Sequence, residues 1–298
     1  MNIGNRKSLI TKSLLHWYKR NARPLPWRKT RNPYRILVSE VMLQQTQVSR
    51  VLQKYPEFLR CFPNFSSLAL GQTADVIRAW SGMGYNNRAI RLHQIAKEIM
   101  NDNNGHLPSD IQILQKLPGI GRYTAHAVAC FSFGQHTAVV DTNVRRVLSR
   151  LFPKLFHSID EWELAESMLP KRKAYEWNQA LMELGSTLCT AAHPRCVDCP
   201  LKQHCPSAFQ IHKPKKSHTG KNHRAMIPNR MYRGRIVALL RTLSRRQSIE
   251  SNRLFQMIQP EARSRNQKRF SLILIGLQRD GLIEIHSKKA KRFISLPK

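Results

Sequence analysis

Residues 111–133 read IQILQKLPGIGRYTAHAVACFSF. Apolar residues recur at three- and four-residue spacing on both sides of Leu117-Pro118-Gly119-Ile120-Gly121, so the pattern predicts two helices, 111–116 and 122–133, joined by a tight hairpin. Gly119 and Gly121 admit backbone conformations closed to other residues. Such a turn points successive N–H groups at one anion, with the start of the second helix behind them. The same five residues also suit a plain joint with no ligand. Charge decides between the two: the 298 residues hold 50 Lys and Arg against 18 Asp and Glu, a formal net of +32. A field of that size attracts polyanions, and a hairpin inside it is expected to hold a nucleic-acid phosphate without reading sequence.

Outward from the hairpin, residues 8–205 read as mostly helical. Segments 36–49, 73–81, 88–100 and 142–152 carry helical apolar spacing, and Pro33, Pro56, Pro63, Gly71, Gly105, Pro108, Gly134 and Pro153 punctuate them. No alternating run there supports a sheet, so the fold class is mainly α. The length suits two or three domains. Residues 1–206 are expected to form one. Residues 207–230, basic, polar and containing Pro, read as a linker. Residues 231–298 offer helices at 233–243, 252–258 and 266–279, then β-rich runs at 282–286 and 292–296 around a Ser-Lys-Lys-Ala-Lys turn. Three helices and a hairpin is the order of a winged helix. Its third helix, bearing Lys268, Arg269 and Arg279, would face the groove if DNA is read there. The same architecture also docks proteins, so a protein partner at this end is the other expectation. The last segment is rich in charge: residues 206–298 hold 22 Lys and Arg against 4 Asp and Glu. No apolar run approaches the roughly 20 residues of a spanning helix. Residues 1–15 are broken by Asn5, Arg6, Lys7 and Lys12, with no apolar core of a signal peptide. A reducing, cytoplasmic setting follows, nucleoid-associated in a prokaryote, with no membrane partner.

Four of the six cysteines fall in one segment, Cys189, Cys196, Cys199 and Cys205, in the pattern C-x6-C-x2-C-x5-C. Thiolates are soft ligands, and four over so short a span can hold an iron–sulfur cluster or a zinc ion. Zinc sites are usually built from two close pairs, and only one pair is close here, so spacing favours iron–sulfur. The long first gap places Cys189 at the end of a helix over 177–188 and the other three on the following loop. Disulfides do not suit a reducing compartment. Cys61 and Cys130 fall in apolar helical stretches and read as core residues.

Two carboxylates stand out. Glu40 is flanked by Leu37, Val38, Val41, Met42 and Leu43. Desolvation there raises a carboxyl pKa and keeps it protonated near neutrality, as a general acid requires. Taken alone, such a Glu is more often the polar face of an amphipathic helix. Asp141 ends the apolar run 137–140 and precedes the helix 142–152, which suits an N-cap. A capping carboxylate stays ionised and can also stabilise a nearby cation.

Hairpin, following Asp and cysteine segment, in this order, resemble the endonuclease III superfamily of DNA glycosylases, with their two-lobed helix-hairpin-helix fold. The segments 23–28 (RPLPWR), 38–48 (VSEVMLQQTQV), 82–85 (GMGY), 117–125 and 140–144 (VDTNV) are similar to motifs of MutY-type adenine glycosylases. The likeness covers roughly residues 8–210. It implies that adenine opposite guanine or 8-oxoguanine in double-stranded DNA is flipped into a pocket. Glu40 would protonate it at N7, and Asp141 would stabilise the positive charge growing on the sugar. Tyr123 matches a tyrosine that hydrogen-bonds the catalytic groups in some members. Trp27 and Arg28 would line the pocket, Asn143 would support it, and Gln44 belongs to the segment that favours adenine. Gln45 and Tyr85 would fill the stack around the base left behind. Leu117, Gly119 and Gly121 would hold a phosphate, joined by Arg195 and Lys202. The four cysteines would hold a structural [4Fe–4S] cluster in a monomeric enzyme. Bifunctional relatives carry Lys at position 123, whose amine attacks the sugar. Tyrosine cannot, so an abasic site with little strand cleavage is expected.

Several positions depart from the family pattern. Thr142, His126 and Asn86 stand where Gly, Gly and Tyr are usual, and His126 reads as a packing residue. The usual Nudix-like carboxy-terminal domain is replaced by the winged-helix-like piece. Two other functions compete: removal of thymine or uracil opposite guanine on the same scaffold, and DNA binding without catalysis.

Overall fold

The computed structural model describes residues 3–102, 104–211, 228–245, 247–259, 265–288 and 291–298. Helices come first in chain order: α1 (Ile3–Asn21), α2 (Pro33–Leu43), α3 (Val48–Cys61), α4 (Phe65–Leu70), α5 (Thr73–Ala79), α6 (Asn87–Asp102), α7 (Ile111–Lys116) and α8 (Arg122–Phe133). Next are α9 (Thr142–Leu151), α10 (Pro153–Phe156), α11 (Glu161–Met168), α12 (Ala174–Thr187) and α13 (Asn229–Thr242). The chain closes with β1 (Ile249–Glu250), α14 (Ser251–Ile258), α15 (Arg265–Arg279), β2 (Glu284–Lys288) and β3 (Lys291–Ser295). The mainly α class holds, and the expected hairpin of helices is α7 and α8. No described helix is long and apolar enough to cross a membrane. Residues 212–227 of the expected linker, and 289–290 of the expected turn, lie outside the described residues.

Three expectations need correction. The helix expected over 36–49 ends at Leu43 and a new one starts at Val48, because Gln45 takes φ 54° and cannot continue a right-handed helix. Pro56 does not stop α3. It lies inside the helix on the solvent side beside exposed Leu52, whose carbonyl loses its N–H partner at position 56. Cys130 is buried as expected, but Cys61 is exposed. The core face of α3 runs through Val51, Tyr55 and Phe58, and Phe62 takes the next place on it.

Contacts divide the chain into two units. The first comprises Met1–Leu37, Ser109–Lys116 and Ile120–Thr219. At its centre α12 packs against α1 and α9, burying Trp177, Leu181 and Leu184 with Ile10, Leu14, Val147 and Leu148. Ala125, Ala127 and Ala129 of α8 are buried, and that helix contacts α7 and α12. One fully buried charge ties the amino-terminal segment to this core. The Glu183 carboxylate accepts from Arg23 Nε at 2.6 Å and from Arg28 Nη2 at 2.7 Å, and Gln179 accepts from Arg28 Nε at 2.8 Å. Burial pushes the Glu183 carboxyl up, but Arg23 and Arg28 outweigh it and hold the group below the usual carboxylate range. The pairing therefore stabilises the fold above that range and is lost as pH falls through the lowered value. Glu183→Gln should cost about 3 kcal/mol at neutral pH, since two guanidiniums lose their buried partner. Denaturant titrations should show the difference from wild type shrinking as pH falls and the native carboxylate becomes protonated too.

The second unit comprises Val38–Pro108, Leu117–Gly119 and Gly220–Lys298. Within it α4 lies on α6, and α5 contacts α3, α6 and α13. The carboxy-terminal piece is three helices and a small sheet in the order β1-β3-β2, all antiparallel, with Ile294 of β3 paired to Ile249 and Ile285. Strand β1 was not expected, being only two residues long. Tyr232, Ile236, Leu240, Phe270 and Leu277 share one core with Ala74, Ile77 and Ile90 of α5 and α6. Arg241 donates to Ile77 O at 2.9 Å and to Asn86 Oδ1 at 2.9 Å.

Candidate active site

In the second unit, Glu40 sits one turn before the end of α2 and is 3% exposed, beside buried Ser39, Val41 and Met42. Glu40 makes an interaction within the fold. The loops that follow are fixed by Arg88, which no motif had marked. This guanidinium is 5% exposed and donates from Nη1 to Val41 O (2.8 Å), Met42 O (2.9 Å) and Gln44 O (2.6 Å). From Nη2 it reaches Thr46 Oγ1 (2.9 Å), Met83 O (3.1 Å) and Gly84 O (3.2 Å). It thus takes the last carbonyls of α2, which have no partner within the helix, and ties two turns together. Burial pulls Arg88 down to about 10, so it remains charged at neutral pH. Both turns carry a non-glycine residue in the left-handed region, Gln45 (φ 54°) and Tyr85 (φ 42°), and both side chains are exposed. Strain of this kind persists where surrounding bonds over-determine it, and it gathers at functional sites. Gln45 and Tyr85 line one cleft of about 700 Å³, whose far wall holds Arg230, Met231 and Arg233 of α13. Gly119 also belongs to this unit. It needs its glycine, with φ 76° and a Cβ position only 2.6 Å from Arg91 Cδ. Leu117 beside it is buried.

In the first unit, Asp141 caps α9: Oδ1 accepts from Val144 N at 2.7 Å and Oδ2 from Asn143 Nδ2 at 2.8 Å. The expected cap is present. Arg146 then joins this cap to the cysteine segment, donating to Asn143 Oδ1 (2.8 Å), Gly185 O (2.7 Å) and Cys189 O (2.8 Å). Gly185 is indispensable there, because a Cβ would stand 2.7 Å from Asn143 Cβ. Gly121 is the N-cap of α8 in extended conformation (φ −87°), open to any residue, so only Gly119 of the pair is conformationally special. Tyr123 lies half-buried in the first turn of α8 and is engaged within the fold. Trp27 is 6% exposed, and Arg28 is committed to Glu183 and Gln179. His126 packs on Trp162 at 4.7 Å and shares a 2.8 Å hydrogen bond with Thr137 Oγ1, a packing role as expected. Burial first, then Arg122, lowers its pKa, so it is neutral at physiological pH.

The helix α12 ends at Thr187, just before Cys189, and the other three cysteines lie on the loop beyond it. All four line one small cavity. Among the described residues no three Cys, His, Asp or Glu stand in single-ion geometry. The donor set fits a thiolate-bound group. Arg150 Nη1 lies 3.3 Å from Cys189 Sγ, and backbone N–H groups face Cys199 and Cys205. Burial pushes the Cys199 thiol up to about 11 and raises Cys205, so both are protonated unless a metal replaces the proton. Arg195 pairs with Asp198 at 2.7 Å, and Lys202 donates to Val197 O at 2.8 Å.

Residues 38–161 match the model of the HhH-GPD superfamily base excision DNA repair proteins. An adenine DNA glycosylase of Mycolicibacterium smegmatis is 44% identical over 205 residues, covering 66% of this chain and 69% of that protein. The chain belongs to the MutY-type adenine DNA glycosylase family. The Mycobacterium tuberculosis adenine DNA glycosylase is 49% identical over 199 residues, 63% of this chain, and the matched stretch spans 64% of its length. The human adenine DNA glycosylase is 40% identical over 208 residues, and the match spans 38% of it. A thermostable thymine-DNA glycosylase structure superposes with TM-score 0.67 at 28% identity, covering 71% of this chain and all of that one. An endonuclease III bound to DNA, at 24% identity and TM-score 0.60, shares the fold. Within this adenine DNA glycosylase family member, Arg88, Arg146 and Gly185 are the supporting residues that the motifs did not name. Arg88 shares its helix turn with Arg91, so the charge alone did not mark it, and its burial shows only in the fold.

Proposed function

We propose that this chain is a monofunctional adenine DNA glycosylase of base excision repair. It hydrolyses the N-glycosidic bond of adenine opposite guanine or 8-oxoguanine in duplex DNA and leaves an abasic site. The observation that carries this reading is the burial of Glu40, in a segment shared with the adenine glycosylase motif and followed by the exposed, strained Gln45. Flipping the base costs a few kcal/mol, least at a mismatch. Glu40 gives its proton to adenine N7, which makes the base a better leaving group, and later takes a proton from the attacking water. Asp141 faces the growing positive charge on the sugar with an ionised carboxylate, whose orientation Val144 N and Asn143 fix. Tyr123 hydrogen-bonds the reacting groups. Trp27 and Arg28 line the pocket, and Gln44 belongs to its adenine-favouring segment. Gln45 and Tyr85 stack about the base left behind, in a cleft that α13 helps to wall. Leu117, Gly119 and Gly121, with Arg195 and Lys202, hold the backbone. Cys189, Cys196, Cys199 and Cys205 hold a [4Fe–4S] cluster, which when bound ties the loop into one rigid shape. The enzyme works as a monomer in the cytoplasm, with the carboxy-terminal domain open to a protein partner.

Duplexes carrying A:G, A:8-oxoG, T:G and U:G test the reading. Adenine release from the first two is expected, with strand breakage appearing only after hot alkali. Release of a pyrimidine instead would install the second reading, removal of thymine or uracil opposite guanine. Efficient breakage without alkali would contradict the monofunctional chemistry. Cys199→Ser should remove the visible absorbance of the purified protein and weaken DNA binding. A spectrum identical to that of wild type would mean that these thiols hold no iron.

A further inference from the structure

The first unit carries a cationic feature remote from Asp141. A groove of about 800 Å³ runs between α1 and the segment that joins α11 to α12, and five lysines and a histidine line it: Lys7, Lys12, His16, Lys19, Lys171 and Lys173. No acidic residue lines it. Lys7 is committed, with Nζ 2.5 Å from Ser167 O. Lys12, Lys19, Lys171 and Lys173 are exposed, and no ion pair among the described residues engages them. Between the last two, Arg172 stands in the left-handed region at φ 61°, holding a turn of three consecutive cations. Four unpaired cations about one groove repel one another, a cost that an anionic ligand removes.

The groove is separate from the Asp141 cap. It adjoins Lys173 at the start of α12, whereas Asn143 touches Gly185 near that helix's other end. The rise of an α-helix puts these places about 17 Å apart along α12. From Lys7 to Lys19 the cationic face of α1 extends roughly 18 Å, the length of several successive phosphates on one strand.

We infer that this groove binds the sugar–phosphate backbone of a DNA segment outside the stretch whose base is excised. The inference rests on the glycosylase reading above. Lysine heads are point charges suited to phosphate, and the exposed Ser8 hydroxyl among them supplies a further donor, while Thr11 gives its hydroxyl hydrogen to Lys7 O at 2.8 Å. A membrane surface would require bulky apolar side chains standing out of the groove. Leu169 is instead its floor, 5% exposed, and Leu15 is half-buried.

The test uses the full chain, a variant carrying Lys12→Ser, Lys19→Ser, Lys171→Ser and Lys173→Ser, and a companion with Arg at the same four positions. Affinity is measured against salt for duplexes of about one and about four helical turns, roughly 34 Å per turn. On the long duplex the Ser variant should lose about 3 to 4 from the slope of log K against log salt, near 0.9 per phosphate released. The Arg companion should retain the wild-type slope. Slope on the short duplex, and single-turnover adenine release from it, should not change. An unchanged long-duplex slope would overturn the inference. So would an equal loss on both duplexes, which would make the groove part of the principal site. Loss of binding to phosphatidylserine vesicles with DNA binding intact would assign it to lipid instead. Should wild type release no base from any duplex, the glycosylase reading would fall, while the long-duplex slope would still decide the groove.

Discussion

Glu40→Gln should lower single-turnover adenine release by about 1,000-fold or more, the loss expected when a positioned general acid is removed. At about 1.4 kcal/mol per decade this is roughly 4 kcal/mol of transition-state stabilisation. Glutamine keeps the size and hydrogen-bonding reach of the side chain but has no proton to give to N7. Because Glu40 is buried and 3% exposed, the substitution leaves the surface that meets DNA unaltered. Binding of the mismatched duplex should therefore persist within a few-fold. Retention of near-wild-type release would remove Glu40 from the mechanism. Loss of binding and release together would recast it as a structural residue.

Arg88→Met should produce the largest change in stability. One side chain serves the carbonyls of Val41, Met42, Gln44, Met83 and Gly84 and the Thr46 hydroxyl. Methionine fills the volume and satisfies none of them. At about 1–3 kcal/mol for each buried acceptor left without a donor, and with some regaining water, a loss near 4 kcal/mol is expected. Arg88→Lys should recover part of it, since an ammonium has three donors and no planar fork. Activity should fall further than stability does, because the freed turns carry Gln45 and Tyr85 in strained backbone conformations that these bonds help to hold. Thermal unfolding, paired with base release at a temperature where the variant remains folded, separates the two effects. A variant with unaltered unfolding would show that water replaces the guanidinium at no cost.

The sequence made the helical class legible because apolar spacing is local. Helices α7 and α8 end where the pattern ends, and Gly119 sits in the left-handed turn between them. The cap at Asp141 was legible for the same reason, since carboxylate and N–H partner are three residues apart. What was not legible depends on distant partners. The break after Leu43 comes with the left-handed backbone of Gln45, and the carbonyls beside it bond Arg88, more than forty residues on, a partner that a pattern read along 36–49 cannot show. Glu183 looks like any polar residue of a helix until Arg23 and Arg28 arrive from the amino-terminal segment. Gly185 is explained only by the close approach of Asn143. The winged-helix-like order could be read from residues 231–298, but not that Tyr232, Ile236 and Leu277 complete a core with Ile77 and Ile90. Deleting that segment would strip α5 and α6 of apolar cover, so point substitutions on α13 are the sounder probe of its role.

A crystal structure of the protein with a duplex carrying a non-cleavable adenine nucleoside opposite 8-oxoguanine tests the roles of Glu40 and Asp141 together. An extruded adenine is expected, with a Glu40 carboxyl oxygen in hydrogen-bond reach of N7 and the Asp141 carboxylate beneath the anomeric carbon. An adenine still stacked in the duplex, or Asp141 remote from the sugar, would contradict those roles.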